Sequence, residues 1–104
     1  MSEMDYTIEN KDQEAQVRMT GRLTFNDHAK LRALIKEMLS NPAKRQILDL
    51  GALEFVDSAG IGMLLIAREE LSNLDKQFVL RKATGQVKRV LTVAQLGKLI
   101  TIEE

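Results

Sequence analysis

Ser58 is the residue of this chain whose position best suits chemistry. It follows the apolar segment that ends at Phe55-Val56 and precedes Ala59-Gly60-Ile61-Gly62, so a strand passes into a helix at this point. Asp and Ser are both favoured helix caps, and Asp57 can fill the cap alone. Ser58 would then be free at a helix N-terminus, which tolerates a phosphate group. This pattern favours Ser58 as a phosphate acceptor over Ser58 as a mere cap, and Ala59 leaves it the sole hydroxyl of the turn.

Catalysis by Ser58 is not supported by the rest of the sequence. His28 is the sole histidine, and nothing in the sequence pairs it with Ser58. The Gly60-Ile61-Gly62 turn lacks the third glycine of a dinucleotide fingerprint, because Leu65 stands in its place, and no Walker pattern is present. We therefore predict a protein that is not an enzyme and has no cofactor and no metal. Binding of a nucleotide or another small ligand at this turn is a weaker hypothesis.

Composition narrows the class of partner. The 104 residues suggest a single domain over 1–104, and the absence of cysteine fits a cytoplasmic protein without disulfides. Fifteen basic and fifteen acidic residues give zero net charge, which argues against direct nucleic-acid binding. The acidic start of the chain predicts no signal peptide, and no apolar run suggests a membrane span.

Charge is unevenly distributed along the chain. Residues 1–14 hold five acids and one lysine, whereas residues 81–98 hold five bases and no acid. Two interpretations stay open: either these are two solvated edges, or the basic side meets an acidic partner.

The first half of the chain predicts a hairpin followed by a helix. Residues 4–9 and 15–20 have strand character, with a turn between them, and Gly21 is expected to end the second strand. The next helix is expected to begin at a cap formed by Asn26 or Asp27 and to stop at Ser40-Asn41-Pro42.

The second half alternates strands and helices. Residues 46–50 predict a short strand, and a second strand over 53–56 is possible. The remaining predicted elements are a helix over 58–74, a strand over 78–80, a helix over 85–94 and a last strand or tail over 99–102. The order ββαβαβα(β) predicts an α/β fold in which helices pack on a mixed sheet.

The helix after Ser58 carries more apolar residues than one core face can hold. Gly60, Leu64, Ala67, Leu71 and Leu74 have the spacing of a core face. Ile61, Met63, Leu65 and Ile66 are surplus to it. We predict that Met63 and Ile66 stay near the surface and form an apolar patch next to Ser58.

The chain resembles the STAS domain, and within it the anti-sigma factor antagonists (anti-anti-sigma factors). The resemblance extends from about residue 4 to residue 102. It rests on Gly21-Arg22-Leu23, Ile47-Leu48-Asp49-Leu50, Phe55-Val56-Asp57-Ser58-Ala59-Gly60-Ile61-Gly62, Leu64-Leu65 and the segment from Val87 to Leu91.

This resemblance implies a phosphorylation-controlled regulator that switches partners. Its unphosphorylated form would bind an anti-sigma factor, which is also a serine kinase, and so release a sigma factor. Phosphorylation of Ser58 would block binding, and a PP2C-type phosphatase would reverse it. The predicted partner surface comprises Leu23, Thr24, Phe25, Asn26, Asp27, Asp57, Ser58, Ala59, Gly60, Gly62, Met63 and Ile66.

Two qualifications accompany the resemblance. Family members often have Gly-Glu-Leu-Asp where this chain has Gly21-Arg22-Leu23-Thr24, so one charge is reversed and another is lost. STAS chains also occur as constitutive subunits that brace the ATPase of ABC-type lipid transporters, and in that alternative Ser58 is only a cap.

Overall fold

Residues 3–104 form one mixed sheet of five strands in the order β1-β2-β3-β4-β5. The computed structural model describes residues 3–104. Met1 and Ser2, which the sequence included in the single domain and in the segment predicted to be no signal peptide, lie outside the described residues. Strand β1 (Asp5–Lys11) pairs antiparallel with β2 (Glu14–Leu23). Three further strands add in parallel: β3 (Arg45–Val56), β4 (Gln77–Arg81) and β5 (Thr101–Glu103). The predicted order is confirmed, and the last segment is a true strand.

Three helices connect the parallel strands. They are α1 (His28–Ser40), α2 (Ser58–Asn73) and α3 (Gly85–Val93), with short 3₁₀ turns at Phe25–Asp27 and Leu96–Lys98. Each crossover advances one strand in the same direction, so right-handed connections place all three helices on one sheet face. Alternate β2 residues Ala15, Val17 and Met19 are accordingly buried. No helix of residues 3–104 combines the length and apolarity that crossing a membrane requires.

The strand boundaries near the site differ from the prediction. Gly21 does not end β2; it has φ +85° and adjoins a register shift, after which the strand continues to Leu23. A Cβ at this position would lie 2.1 Å from the carbonyl oxygen of Glu3, so glycine is required for the close crossing of the chain. The two short strands predicted over 46–50 and 53–56 are one strand, β3.

One residue of the core face predicted for α2 is not buried. Leu64, Ala67 and Leu71 are buried as expected, but Leu74 is the C-cap residue and is 49% exposed. The hydrophobic spacing in the sequence therefore continues one residue beyond the end of the helix, to a position that is half exposed. The Tyr6 hydroxyl donates a 2.5 Å hydrogen bond to Glu37 and ties β1 to α1.

An ion-pair network crosses the helix-free face of the sheet. Arg45 at the start of β3 pairs with Glu14 of β2 and with Glu103 of β5. Arg81 of β4 pairs with the same Glu103 at 2.8 Å. The hydrogen bond from Arg45 lowers the pKa of Glu14, and the one from Arg81 lowers the pKa of Glu103. The network therefore links the three-residue edge strand β5 to the opposite half of the sheet.

Candidate functional site

Asp57 forms the junction between β3 and α2. Its backbone is extended, and its Oδ1 accepts a 2.7 Å hydrogen bond from the Gly60 N–H, so Asp57 is the helix cap. Its Oδ2 accepts a hydrogen bond from the Phe25 N–H at 3.2 Å, and its own N–H donates to the Leu23 carbonyl at 3.2 Å. One carboxylate therefore joins the start of α2 to the loop between β2 and α1, which the sequence placed on the same partner surface.

Ser58 is the first residue of α2 and is exposed. Its hydroxyl has no hydrogen-bond partner within the described part of the chain, because Asp57 provides the cap. The interpretation of Ser58 as a cap is therefore wrong. The Ser58 hydroxyl is accessible to solvent and makes no hydrogen bond with the described residues.

The two glycines after Ser58 differ in what surrounds them. A Cβ on Gly60 would lie 2.7 Å from Val56 Cγ2 and 3.0 Å from the Leu23 carbonyl oxygen, whereas a Cβ on Gly62 would meet nothing within 4 Å. Gly60 is buried, and it brings α2 close to the end of β2. Close packing therefore explains why position 60 is glycine, with no need for a role in binding phosphate. Residues 3–104 hold no cluster of three His, Asp or Glu side chains suited to a metal.

The loop between β2 and α1 mixes exposed and buried members of the predicted partner surface. Phe25 is 68% exposed and Asn26 is exposed, so both can contact a partner. Leu23 and Asp27 are buried and shape the loop instead. Asp27 occupies the predicted cap position of α1, but its carboxylate accepts from the backbone N–H groups of Thr24 and Met4 rather than capping that helix.

The predicted apolar patch next to Ser58 is only half correct. Ile66 is 45% exposed, as expected, but Met63 is 8% exposed and belongs to the core, so the prediction for Met63 is wrong. Met63 of α2 lies opposite Leu31 and Ile35 of α1, and the gap that these side chains line is only about 20 Å³. The Met63 side chain is buried where α1 packs against α2, and little room is left there for a partner.

An open groove lies on the other side of α2; the sequence predicted Asp57 and Ser58 of its lining as partner contacts but did not predict the groove itself. Its volume is about 430 Å³, and we call it the α2–α3 groove. It is lined by Phe55, Ser58, Ile61, Arg89, Val90 and Val93, among others. Ser58 thus lines an apolar depression, and one of the apolar side chains beside it, Val93, is 78% exposed.

Gln86 and Arg22 support this groove and were both missed as site residues. The Gln86 side chain accepts from the Val56 N–H at 3.0 Å and donates to the Val56 carbonyl at 2.9 Å, so it fixes the end of β3 to α3. The Arg22 guanidinium lies 4.2 Å from the centre of the Phe55 ring. The sequence shows a glutamine in the first turn of α3, but the spacing of residues does not reveal that its side chain binds the backbone of Val56.

Comparison with known proteins agrees with this architecture. Residues 6–101 match the family model described as Mlab, STAS domain. A STAS-domain containing protein of Pseudomonas aeruginosa (strain UCBPP-PA14) is 27% identical over 90 residues, which are 86% of this chain and 88% of that protein.

Solved structures show the same fold at low identity. An anti-sigma factor antagonist from Mycobacterium paratuberculosis superposes with a TM-score of 0.86 and 20% identity, covering 97% of this chain and 86% of that one. The Bacillus cell fate determinant SpoIIAA in its phosphorylated form superposes with a TM-score of 0.69 and 21% identity, covering 94% of this chain and 90% of that one.

Proposed function

This chain belongs to the STAS-domain family, and from that membership we propose that it is an anti-sigma factor antagonist controlled by phosphorylation of Ser58. Its unphosphorylated form binds a serine-kinase-type anti-sigma factor and so releases a sigma factor. The kinase phosphorylates Ser58 and ends the interaction, and a PP2C-type phosphatase restores it. The proposal places a regulatory, non-catalytic protein in the cytoplasm.

One observation carries the proposal: Ser58 is exposed at the start of α2 while Asp57 makes the capping bonds. Phosphorylation at such a position leaves the hydrogen bonds of the junction intact. The likeness in fold to an anti-sigma factor antagonist and to a protein solved in a phosphorylated form supports the same role.

Charge and desolvation explain how the modification would block binding. A phosphate adds roughly −1.5 to −2 charges next to the Asp57 carboxylate. Phe25, whose N–H donates to Asp57, and Ile66, on the same helix as Ser58, are exposed apolar side chains that suit a desolvated contact. Burying the new charges without a counter-ion would cost a few kcal/mol, and each 1.4 kcal/mol or so weakens binding about tenfold.

Calorimetry with the serine-kinase-type anti-sigma factors of the source organism, each purified separately, tests the proposal. Wild type and Ser58→Ala should bind one of them, and Ser58→Asp should bind at least about tenfold more weakly. Ser72→Asp is the matched control, because Ser72 is exposed in the same helix at its other end, and it should bind as wild type does. Equal affinity of wild type and Ser58→Asp would contradict the proposal.

The alternative is a constitutive STAS subunit that braces the ATPase of an ABC-type lipid transporter. It predicts that Ser58→Ala and Ser58→Asp capture the same proteins from native cells. It also predicts that Ser58 carries no phosphate under any growth condition when the native protein is analysed by mass spectrometry. Partners lost only with Ser58→Asp favour the switch.

A further inference from the structure

The α2–α3 groove offers a partner more room than the gap between α1 and α2. The gap between α1 and α2 is about 20 Å³, whereas the α2–α3 groove measures about 430 Å³. Ser58 lines the groove directly, together with the side chains of Ile61 and Val90. A partner that senses Ser58 can therefore bury apolar surface on this side of α2.

The basic segment 81–98 contributes one unpaired charge to the groove. Three of its five bases are in ion pairs: Arg81 with Glu103, Lys82 with Asp49, and Lys88 with Glu104. Arg89 and Lys98 form no ion pair with any residue of 3–104. Of these two, only Arg89 lines the α2–α3 groove, and Lys98 borders a separate depression next to β5.

A second arginine adds to the positive charge at the same place. Arg22 is exposed and stacks on Phe55, which is itself a groove residue, and it too has no ion-pair partner in the described chain. The one carboxylate that lines the groove, Asp57, already accepts hydrogen bonds from two backbone N–H groups. The groove therefore has an apolar lining, a free guanidinium at Arg89 and a second free guanidinium, that of Arg22, stacked on the lining residue Phe55.

We propose that the α2–α3 groove binds an apolar segment of the anti-sigma factor that carries carboxylates, which pair with Arg89 and Arg22. This inference rests on the proposed function and adds to it the chemistry of the partner surface. A guanidinium pairs with a carboxylate through two parallel hydrogen bonds, so the pair also sets the register of the docked segment. Ser58 lines the same groove, so a phosphate there would repel the docked carboxylates once the guanidinium groups are paired, which couples the modification to release.

Charge reversal in the unphosphorylated protein tests the docking chemistry. Arg89→Glu and Arg22→Glu should each weaken binding of the purified anti-sigma factor by about tenfold or more, and Arg89→Gln by less. Lys98→Glu is the matched control: it reverses an equally unpaired charge of the same segment outside the groove, and it should change the affinity by less than about twofold. Affinity of the wild type should also fall as salt is raised.

The outcomes separate this inference from the function on which it rests. If Arg89→Glu and Arg22→Glu bind as well as wild type, or more tightly, while Ser58→Asp binds poorly, the docking proposal is wrong and the switch stands. If Ser58→Asp binds as wild type does, or wild type binds no anti-sigma factor, the proposed function fails and the inference fails with it. A circular dichroism spectrum of each variant checks that these exposed substitutions preserve the fold.

Discussion

Replacing Gly60 with alanine tests whether α2 is held against the end of β2 by close packing. The new Cβ would lie 2.7 Å from Val56 Cγ2, 3.0 Å from the Leu23 carbonyl oxygen and 3.1 Å from Leu23 Cγ. The Val56 methyl can move, but the Leu23 carbonyl is backbone and also accepts the Asp57 N–H. Overpacking of this kind costs about 1–3 kcal/mol.

Gly62→Ala provides the matched control, because it lies in the same helix turn and its Cβ would meet no atom within 4 Å. Alanine is a better helix former than glycine by about 0.5–1 kcal/mol, and both variants gain some of this. Gly62→Ala should therefore be more stable than wild type. The difference between the variants isolates the packing cost, so Gly60→Ala should unfold about 1–3 kcal/mol more easily than Gly62→Ala.

Urea unfolding followed by circular dichroism measures this difference. With a slope of about 1–3 kcal/mol/M for a protein of this size, the two midpoints should be separated by roughly 1 M. Slopes should agree between the variants, because neither changes the surface exposed on unfolding. If Gly60→Ala is as stable as Gly62→Ala, α2 does not pack closely enough against Leu23 to exclude a methyl group at position 60, and the reasoning is wrong.

Three further predictions follow from the junction, the sheet edge and the ion network. Asp57→Ala should cost about 1–2 kcal/mol in urea unfolding, and Asp57→Asn less, because Oδ1 caps α2. Tyr6 is the sole tyrosine, and its hydrogen bond to Glu37 raises its pKa to about 12, so tyrosinate absorbance should titrate near that pH and, in Glu37→Gln, nearer 10. Since the folded pKa is raised, this stabilisation is full below about pH 10 and is lost as pH rises through about 12. Glu14 and Glu103 have lowered pKa values, so their contribution is full above about pH 5 and is lost as pH falls further; urea midpoints that stay constant on acidification would contradict the network.

The helices and the hairpin were predictable because their signals are local. Periodic apolar residues define α1, α2 and α3, and the turn before β2 contains Asp12 and Gln13, both with positive φ. The continuity of β3 was not predictable, because Gly51-Ala52 interrupts the alternation that marks a strand. Pairing with β2 through register shifts carries β3 across this interruption, and a register shift depends on a partner strand far away in the sequence.

At the site, the sequence identified the cap and the exposed serine but not their surroundings. Asp57 and Ser58 follow from the chemistry of helix starts. The burial of Met63 depends on which neighbour α2 packs against, and apolar spacing alone cannot assign a surplus residue to α1 or to solvent. The pairing of Gln86 with the Val56 backbone is equally non-local, since a side-chain amide finds its partner only after β3 and α3 come together.

The separation of duties between Asp57 and Ser58 decides how variants at this site can be interpreted. Asp57 makes the hydrogen bonds that position α2, whereas Ser58 makes none with the described residues. Substitutions at Ser58 should therefore leave the free energy of unfolding within about 0.5 kcal/mol of wild type, as expected for an exposed residue outside any network. A loss of binding in Ser58→Asp then reports the charge at the interface, whereas a loss in Asp57→Ala mixes that effect with movement of α2. Ser58 is thus the position at which charge can be changed without changing the surface that presents it.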